Sequence, residues 1–228
     1  MNTEWDITAN RFVVFFDILG FKDLVSRNTH NGILEKLKII KEAIKATEAV
    51  WQDEQLKPYN ISADQTRTIT FSDSIILFSK GDTLGDAVKL VVDTFFIYKR
   101  AIDTGIPIKG AISAGLISVD FKNSLFFGQP IIDAYLLHEE LQMLTVISDH
   151  NFETRLQSLN DKFLLQLFEL YKANLRSGRV MHRILKPQYP KYVDEHVEKI
   201  RGHYKTVSGR PRIYIDNTIE FLNSLPKD

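Results

Sequence analysis

The stretch FVVFFDILGF, Phe12 to Phe21, places a single carboxylate after five consecutive apolar residues. A run of valine and phenylalanine of this length predicts a strand that is buried on both faces. An ionised aspartate at the end of such a strand needs a cation, a hydrogen-bonding partner or access to water. Asp17 is therefore the first candidate functional residue, and the glycine that follows it, Gly20, marks a predicted helix start.

Length and composition describe an ordinary globular chain of 228 residues, 44% of them hydrophobic, which is enough for a substantial core. The 29 basic residues balance the 29 acidic ones, so no overall field favours nucleic acid or an anionic membrane. The absence of cysteine excludes disulfides, thiolate metal sites and cysteine nucleophiles. The polar start MNTEWDITANR is not a secretory signal, and no apolar run reaches the roughly 20 residues of a membrane helix. We therefore expect a soluble, cytoplasmic protein with no nucleic-acid partner and no direct membrane contact.

Apolar spacing predicts alternating strands and helices over roughly the first 150 residues. The predicted strands are the run from Phe12 and the segments Gln65–Phe71, Ser74–Ser79, Ile106–Phe121 and Leu144–Ser148. The predicted helices are Gly20–Asn28, Asn31–Trp51, Asp82–Ile102 and Ile131–Gln142. Two crossovers that flank a hairpin predict an α+β fold, a ferredoxin-like sandwich with a βαββαβ core and its helices on one face.

The chain beyond His150 is more polar and more basic than the part before it. It contains predicted helices at Asn151–Ala173 and Lys191–His203, a short apolar piece at Val180–Leu185 and a last segment at Arg212–Leu225. No linker rich in Gly, Ser or Pro separates this part from the rest. We therefore expect one domain over residues 1–228, with a core at about 10–150 and a C-terminal helical elaboration at about 151–228.

A second aspartate, Asp73, occupies the tip of the predicted hairpin in TFSDSIILF. In a ferredoxin-like sheet the first strand and the hairpin strands lie side by side, so Asp17 and Asp73 can converge. Two ionised carboxylates at close range repel each other unless a divalent cation lies between them, and oxygen ligands suit Mg²⁺ or Mn²⁺. The spacing alone leaves another interpretation open, in which Asp17 caps the next helix and Asp73 simply forms the turn.

The helix start that follows Asp17 favours the metal hypothesis. The first amides of a helix have no partner within it, and together with the helix dipole they form a site for phosphate. Gly20 lets such a ligand approach the backbone closely. Carboxylates that hold metal beside a phosphate site are the components of a site for a nucleotide polyphosphate.

Four blocks of sequence resemble the catalytic domains of class III nucleotidyl cyclases, in order and in approximate spacing. The blocks are FFDILGFKDL, ITFSDSIILF, IKGAISAGLI and FGQPIIDAYLLHEEL, and the resemblance spans about Phe12 to Ser148. Within that family the chain is most similar to the stand-alone cyclases of bacterial Pycsar antiphage systems, which make cyclic UMP or cyclic CMP. The resemblance therefore implies a nucleotidyl cyclase sandwich as the fold.

The resemblance also implies a homodimer with active sites at the interface between protomers. It assigns Asp17 and Asp73 as ligands of two divalent ions, Mn²⁺ or Mg²⁺, with the Ile18 carbonyl as a further ligand. It assigns the Gly20 and Phe21 amides to the triphosphate. The ions would help the ribose 3'-hydroxyl attack the α-phosphorus while pyrophosphate leaves.

Four positions depart from the adenylate cyclase pattern. Ile132 and Leu136 stand near the positions where those enzymes place an Asn and an Arg, and neither side chain can donate a hydrogen bond to a developing charge. Asp133 and Tyr135 flank them and could serve only if the register slips by one. Ile69 stands in place of the lysine that reads adenine, and Leu125 in place of its partner. These residues argue against purine recognition in the adenylate cyclase manner.

Two basic residues have open roles. Strand alternation back from Asp73 places Arg67 on the same face, where it could contact the base or a phosphate. The alternative is an exposed charge at the start of a strand. For Lys109 we expect a solvated lysine at a strand edge, in preference to a phosphate ligand.

The sequence supports three hypotheses. The first is a uridylate cyclase that converts UTP to 3',5'-cyclic UMP and pyrophosphate for an antiphage defence system in which a separate effector reads the product; CTP and cyclic CMP are the alternative. The second is a catalytically silent nucleotide-binding or dimerisation module, and the third is a ferredoxin-like partner-binding protein with two structural aspartates. Retention of two charges at buried strand ends favours the enzyme.

Overall fold

One continuous sheet forms the centre of the fold. The computed structural model describes residues 4–46, 56–186, 193–205 and 207–226. The strands are β1 (Thr8–Ile18), β2 (Thr66–Phe71), β3 (Ser74–Ser79), β4 (Ile108–Asp120), β5 (Leu125–Phe127), β6 (Val146–Ser148), β7 (Phe168–Leu175) and β8 (Gly178–Leu185). Their order across the sheet is β2-β3-β1-β4-β6-β8-β7, and β5 pairs with β4 outside this path.

The helices connect these strands and cover the sheet. They are α1 (Phe21–Arg27), α2 (His30–Ala46), α3 (Leu84–Asp103), α4 (Gln129–Glu140), α5 (His150–Leu159), α6 (Lys162–Gln166), α7 (Val193–Gly202) and α8 (Arg212–Ser224). Among the described residues, no helix combines the length and the hydropathy that crossing a bilayer requires.

Strand β1 lies in the middle of the sheet, antiparallel to β3 on one side and to β4 on the other. Phe12, Val13, Val14 and Phe16 have no exposed surface, and Phe15 is 8% exposed. The strand predicted from FVVFF is therefore confirmed, including its burial on both faces. With β2 and β3 as a hairpin, the arrangement is the predicted ferredoxin-like βαββαβ core, and the α+β fold class is confirmed.

The two faces of the sheet carry different helices. On one face the Thr66 hydroxyl of β2 donates a 2.5 Å hydrogen bond to Asp93 of α3. On the other face the Phe15 ring lies 5.4 Å from the ring of Tyr135 and 4.8 Å from that of His138, both on α4. The expectation that all helices share one face was wrong for α4, because a strand as apolar as β1 needs cover on both sides.

The C-terminal part differs from its prediction in one respect. The helix predicted at Asn151–Ala173 ends at Gln166 after an interruption at Asn160, whose φ is 48°. Residues Phe168–Leu175 instead form β7, which pairs with β8 and extends the sheet. Helix propensity was overridden here by the cross-strand partner that β8 supplies. The predicted extension of α2 to Trp51, like the predicted start of α7 at Lys191, lies outside the described residues.

Gly110 sets the spacing between β1 and β4. A Cβ atom at this position would lie 2.7 Å from Cδ1 of Phe16 and 2.8 Å from the carbonyl oxygen of Phe15. The prediction that glycines in this strand allow another backbone to approach closely is therefore confirmed at Gly110.

We expect Gly110→Ala to lower the free energy of unfolding by about 1–3 kcal/mol, because the added methyl group overpacks the contact between β1 and β4. Urea denaturation measures this. Gly202→Ala is the matched control, since no atom lies within 4 Å of its added Cβ. Equal stability of Gly110→Ala and wild type would show that the two strands can separate without cost.

Candidate active site

The structure brings Asp17 and Asp73 to the same end of the sheet. Asp17 pairs across the strands with Ser74, the residue that follows Asp73. The Ile18 amide donates a 3.1 Å hydrogen bond to the carbonyl oxygen of Asp73. Two residues that are far apart in the sequence therefore become neighbours through the pairing of β1 with β3.

A tight turn produces this placement. Phe71 pairs with Ser74, which leaves only Ser72 and Asp73 to connect β2 to β3. Ser72 adopts a φ of 55°, the left-handed conformation that such short connections use. The hairpin thus holds Asp73 beside the end of β1, where its side chain is half-buried.

The local environment makes ionisation of Asp17 unfavourable. Burial raises the pKa of Asp17 to about 6, and the negative charge of Asp73 acts in the same direction. Lys109 opposes this shift, while the charge of Glu139 adds to it. A carboxylate that is partly desolvated beside a second carboxylate is stabilised by a cation that binds both.

The helix start beside Asp17 has the predicted backbone geometry. The Leu19 amide donates to the carbonyl oxygen of Pro107 at 2.8 Å, which fixes the end of β1 against the start of β4. Gly20 then adopts a φ of 72° as the N-cap residue of α1, and it provides no side-chain cap. No atom lies within 4 Å of where its Cβ would be. The backbone at Gly20, three residues after Asp17 and directly before α1, therefore has open space on the side where a Cβ would lie.

Lys109 is buried next to this site, so the expectation of a solvated strand-edge lysine was wrong. Lys109 is 2% exposed, because β4 is an inner strand and α4 covers it. Its Nζ donates to the carbonyl oxygens of His138 at 2.6 Å and Leu141 at 3.2 Å, at the C-terminal end of α4. Lys109 pairs directly with Asp17 across the strands, and burial lowers the pKa of Lys109 to about 8. The sequence did not predict that β6 and α4 pack beside Lys109, so it did not predict that the strand carrying Lys109 is an inner one.

Arg67 lies apart from this group. Its guanidinium carbon lies 4.9 Å from the ring centroid of Trp5 and 5.1 Å from that of Phe121. Arg67 pairs with Phe78 of β3, and Phe78 pairs in turn with Val13 of β1. Val13 precedes Asp17 by four residues, so Arg67 lies level with a point about 13 Å from Asp17 along the strand. The structure does not bring Arg67 to the two aspartates, and its contact with a base or a phosphate stays a prediction.

An exposed apolar stripe follows one side of α4. Ile132, Tyr135 and Leu136 are 51%, 45% and 55% exposed, and their spacing of three and four places them on one side of the helix. The opposite side carries Ala134 and His138, which are buried. We call the three exposed residues the α4 stripe. It includes Ile132 and Leu136, which the sequence resemblance places near the Asn and the Arg of adenylate cyclases.

We expect Asp17→Asn to stabilise the metal-free protein by about 1–2 kcal/mol at pH 7.5, after allowance for solvent screening. The folded pKa lies above the unfolded value, so the carboxylate reduces stability as the pH rises from about 4 to about 6. The gain should therefore vanish below about pH 4, and urea denaturation across this range measures it.

Asp103→Asn is the control, because it should change the free energy of unfolding in the opposite direction. Burial acts to raise the pKa of Asp103, but its Lys199 and Lys99 partners hold it below its usual value. That substitution should therefore reduce stability at pH 7.5. If Asp17→Asn also reduced stability there, Asp17 would have a structural role and its environment would not oppose its charge.

Comparison by sequence identifies no relative. No protein-family model matches the chain, and no curated protein matches it.

Comparison by structure gives clear neighbours. The guanylate cyclase domain of RhGC from Catenaria anguillulae, solved in complex with GTP, is 14% identical with a TM-score of 0.53, over 79% of this chain and 98% of that one. A bacterial light-regulated adenylyl cyclase is 12% identical with a TM-score of 0.53, over 86% and 98%. A guanylyl cyclase domain of the RhoGC fusion protein from Blastocladiella emersonii, solved as a non-canonical dimer, is 12% identical with a TM-score of 0.52, over 78% and 96%. The chain therefore has the fold of class III nucleotidyl cyclase catalytic domains.

Proposed function

We propose that this chain is a metal-dependent nucleotidyl cyclase, which converts a nucleoside triphosphate to a 3',5'-cyclic nucleotide and pyrophosphate. The observation that carries the proposal is the convergence of Asp17 and Asp73 beside the start of α1. The fold adds support, since the neighbours named above are guanylyl and adenylyl cyclases.

The residues at the site fit divalent ions that also bind phosphate. Asp17 and Asp73 would hold two such ions, Mn²⁺ or Mg²⁺, together with the Ile18 carbonyl oxygen. Within the described ranges no group of three or more His, Cys, Asp or Glu side chains could hold a metal ion alone. Mg²⁺ typically binds through one or two carboxylates and completes its coordination with water and substrate phosphates. Bound there, the ions would neutralise charge on the phosphates and polarise the reacting oxygen.

The chain's own residues would position the triphosphate for an in-line displacement. The amides of Gly20 and Phe21 would bind its oxygens at the start of α1. The Lys109 ammonium would add positive potential from the neighbouring strand. The ribose 3'-oxygen would then form a bond to the α-phosphorus and give its proton to solvent water. The bond from the α-phosphorus to the oxygen that bridges it to the β-phosphorus would break, and pyrophosphate would leave with that electron pair.

The proposed substrate is UTP, with CTP as the alternative. Support comes from Ile69 and Leu125, which replace the residues that read adenine in adenylate cyclases. Ile69 is half-buried and Leu125 is 57% exposed, and neither side chain offers a hydrogen bond to a purine. Arg67 remains the proposed contact for the base.

The proposed biological role is second-messenger synthesis in the cytoplasm, for an antiphage defence system in which a separate effector reads the cyclic nucleotide. Its support is the resemblance of four sequence blocks to the stand-alone pyrimidine cyclases of such systems.

The proposed assembly is a homodimer with active sites at the interface. The α4 stripe supports it, because three large apolar side chains that are about half exposed on one helix face favour association. The B. emersonii domain was solved both as a non-canonical dimer and as a monomer, so the support for this assembly comes from the α4 stripe.

The activity test incubates the purified protein with Mn²⁺ and each of the four ribonucleoside triphosphates, and identifies products by mass spectrometry. We expect cyclic UMP from wild type, and a loss of at least about 100-fold in Asp17→Asn and Asp73→Asn. Asp103→Asn is the control that should retain activity.

Other outcomes of this test have distinct meanings. Cyclic CMP alone would favour the alternative substrate, and a cyclic purine product would contradict the proposed base. Nucleotide binding without any product would instead favour the silent module, which the apolar residues Ile132 and Leu136 also suggest.

The dimer test substitutes one residue of the α4 stripe. We expect Leu136→Glu to give a monomer in analytical ultracentrifugation, with product formation at least about tenfold lower, because a buried charge opposes association. Leu170→Glu is the matched control, since Leu170 is 53% exposed on the edge strand β7. A wild-type monomer, or a Leu136→Glu dimer of unchanged affinity, would contradict the proposed interface.

A further inference from the structure

The C-terminal helix α8 is fixed against the segment that joins α4 to β6. The Leu144 amide donates a 2.7 Å hydrogen bond to the Thr218 hydroxyl, which donates in turn to the Tyr214 carbonyl oxygen at 2.6 Å. The Asn217 amide group donates to the Gln142 carbonyl oxygen at 2.8 Å. These bonds hold α8 beside Gln142 and Leu144, in the segment between α4 and β6.

This anchoring brings Tyr214 to Lys109. The Lys109 Nζ lies 5.4 Å from the centroid of the Tyr214 ring, within the range of a cation–π interaction. Two of the three ammonium donors are directed to the His138 and Leu141 carbonyl oxygens. The ring thus covers the buried charge of a residue whose backbone pairs with Asp17 across the strands.

Tyr214 also influences a second charge in the same region, because it raises the pKa of the Arg176 guanidinium. Arg176 lies 3.4 Å from a carboxylate oxygen of Glu139, and its amide donates to the Glu140 carbonyl oxygen at 2.8 Å. Tyr214 therefore contacts the buried Lys109 cation with its ring and lies near the ion pair at the end of α4.

We propose that Tyr214 is a positioning residue whose ring holds the Lys109 ammonium beside Asp17, so that α8 forms one wall of the triphosphate site. The proposal rests on the proposed function, because it gives the positive charge of Lys109 a role toward phosphate. It predicts that loss of the ring weakens triphosphate binding, whereas loss of the hydroxyl alone does not.

The test compares Tyr214→Leu, which removes the ring, with Tyr214→Phe, which keeps it. The first readout is the rate at which an amine-reactive reagent modifies Lys109, followed by mass spectrometry. We expect Tyr214→Leu to raise this rate at least about fivefold and Tyr214→Phe to leave it unchanged. The second readout is the affinity for inorganic tripolyphosphate with Mn²⁺, measured by calorimetry, which should fall about tenfold only in Tyr214→Leu.

Phe221→Leu controls for a general loosening of α8. Phe221 is also buried on this helix, but its ring contacts Tyr171 at 4.9 Å. The Phe221→Leu substitution should lower the free energy of unfolding without changing the Lys109 modification rate or the affinity for tripolyphosphate. Tyr214→Met, whose longer and more flexible side chain reaches further into the space left by the ring, replaces Tyr214→Leu if the latter is unfolded at the assay temperature.

Equal values for the two Tyr214 variants in either readout would overturn the proposal, as would a wild-type protein that does not bind tripolyphosphate. Binding of tripolyphosphate does not require cyclisation. A wild-type protein that binds it but forms no cyclic product would therefore fail the proposed activity, while the role of Tyr214 would still be decided by both readouts.

Discussion

The burial of β1 between two strands and two helices is the constraint on which the rest of the structure depends. Pairing with β3 and β4 satisfies its backbone, and α3 and α4 cover its two faces. The same burial carries Asp17 partly out of water at the end of the strand and brings Asp73 beside it. Burial that stabilises the sheet therefore makes ionisation of Asp17 unfavourable, which raises the pKa of Asp17. A bound cation would offset this effect.

The sequence predicts the parts of this fold whose signals are local. The run FVVFF, the turn at Asp73 and the glycine at Gly20 each specify their structure within a few residues, and together they place two candidate ligands. Long-range packing is what the sequence does not show. Lys109 is buried because β6 and α4 flank it, and β7 is a strand because β8 pairs with it. The contact of Tyr214 with Lys109 is also long-range, and no residue near Tyr214 in the sequence indicates it.

The proposed metal site uses few protein ligands. Two carboxylates and one carbonyl oxygen, as proposed above, would leave most of the coordination of a divalent ion to other donors. Phosphate oxygens would supply those donors, so ion and nucleotide would bind more tightly together than either does alone. The α4 stripe is equally incomplete in a single chain, because its apolar side chains face solvent. The proposed metal site would therefore be completed by a nucleotide, and the α4 stripe by a second protein surface.

The contact between Lys109 and Tyr214 joins positions that are nearly half the chain apart. Helix α8 follows every strand of the sheet in the sequence. During synthesis, the hairpin and the central strands can therefore pair before α8 has left the ribosome, and the cation beside Asp17 gains its aromatic wall only afterwards. In the proposed arrangement, the two aspartates can therefore come together on the nascent chain before α8 packs against Lys109.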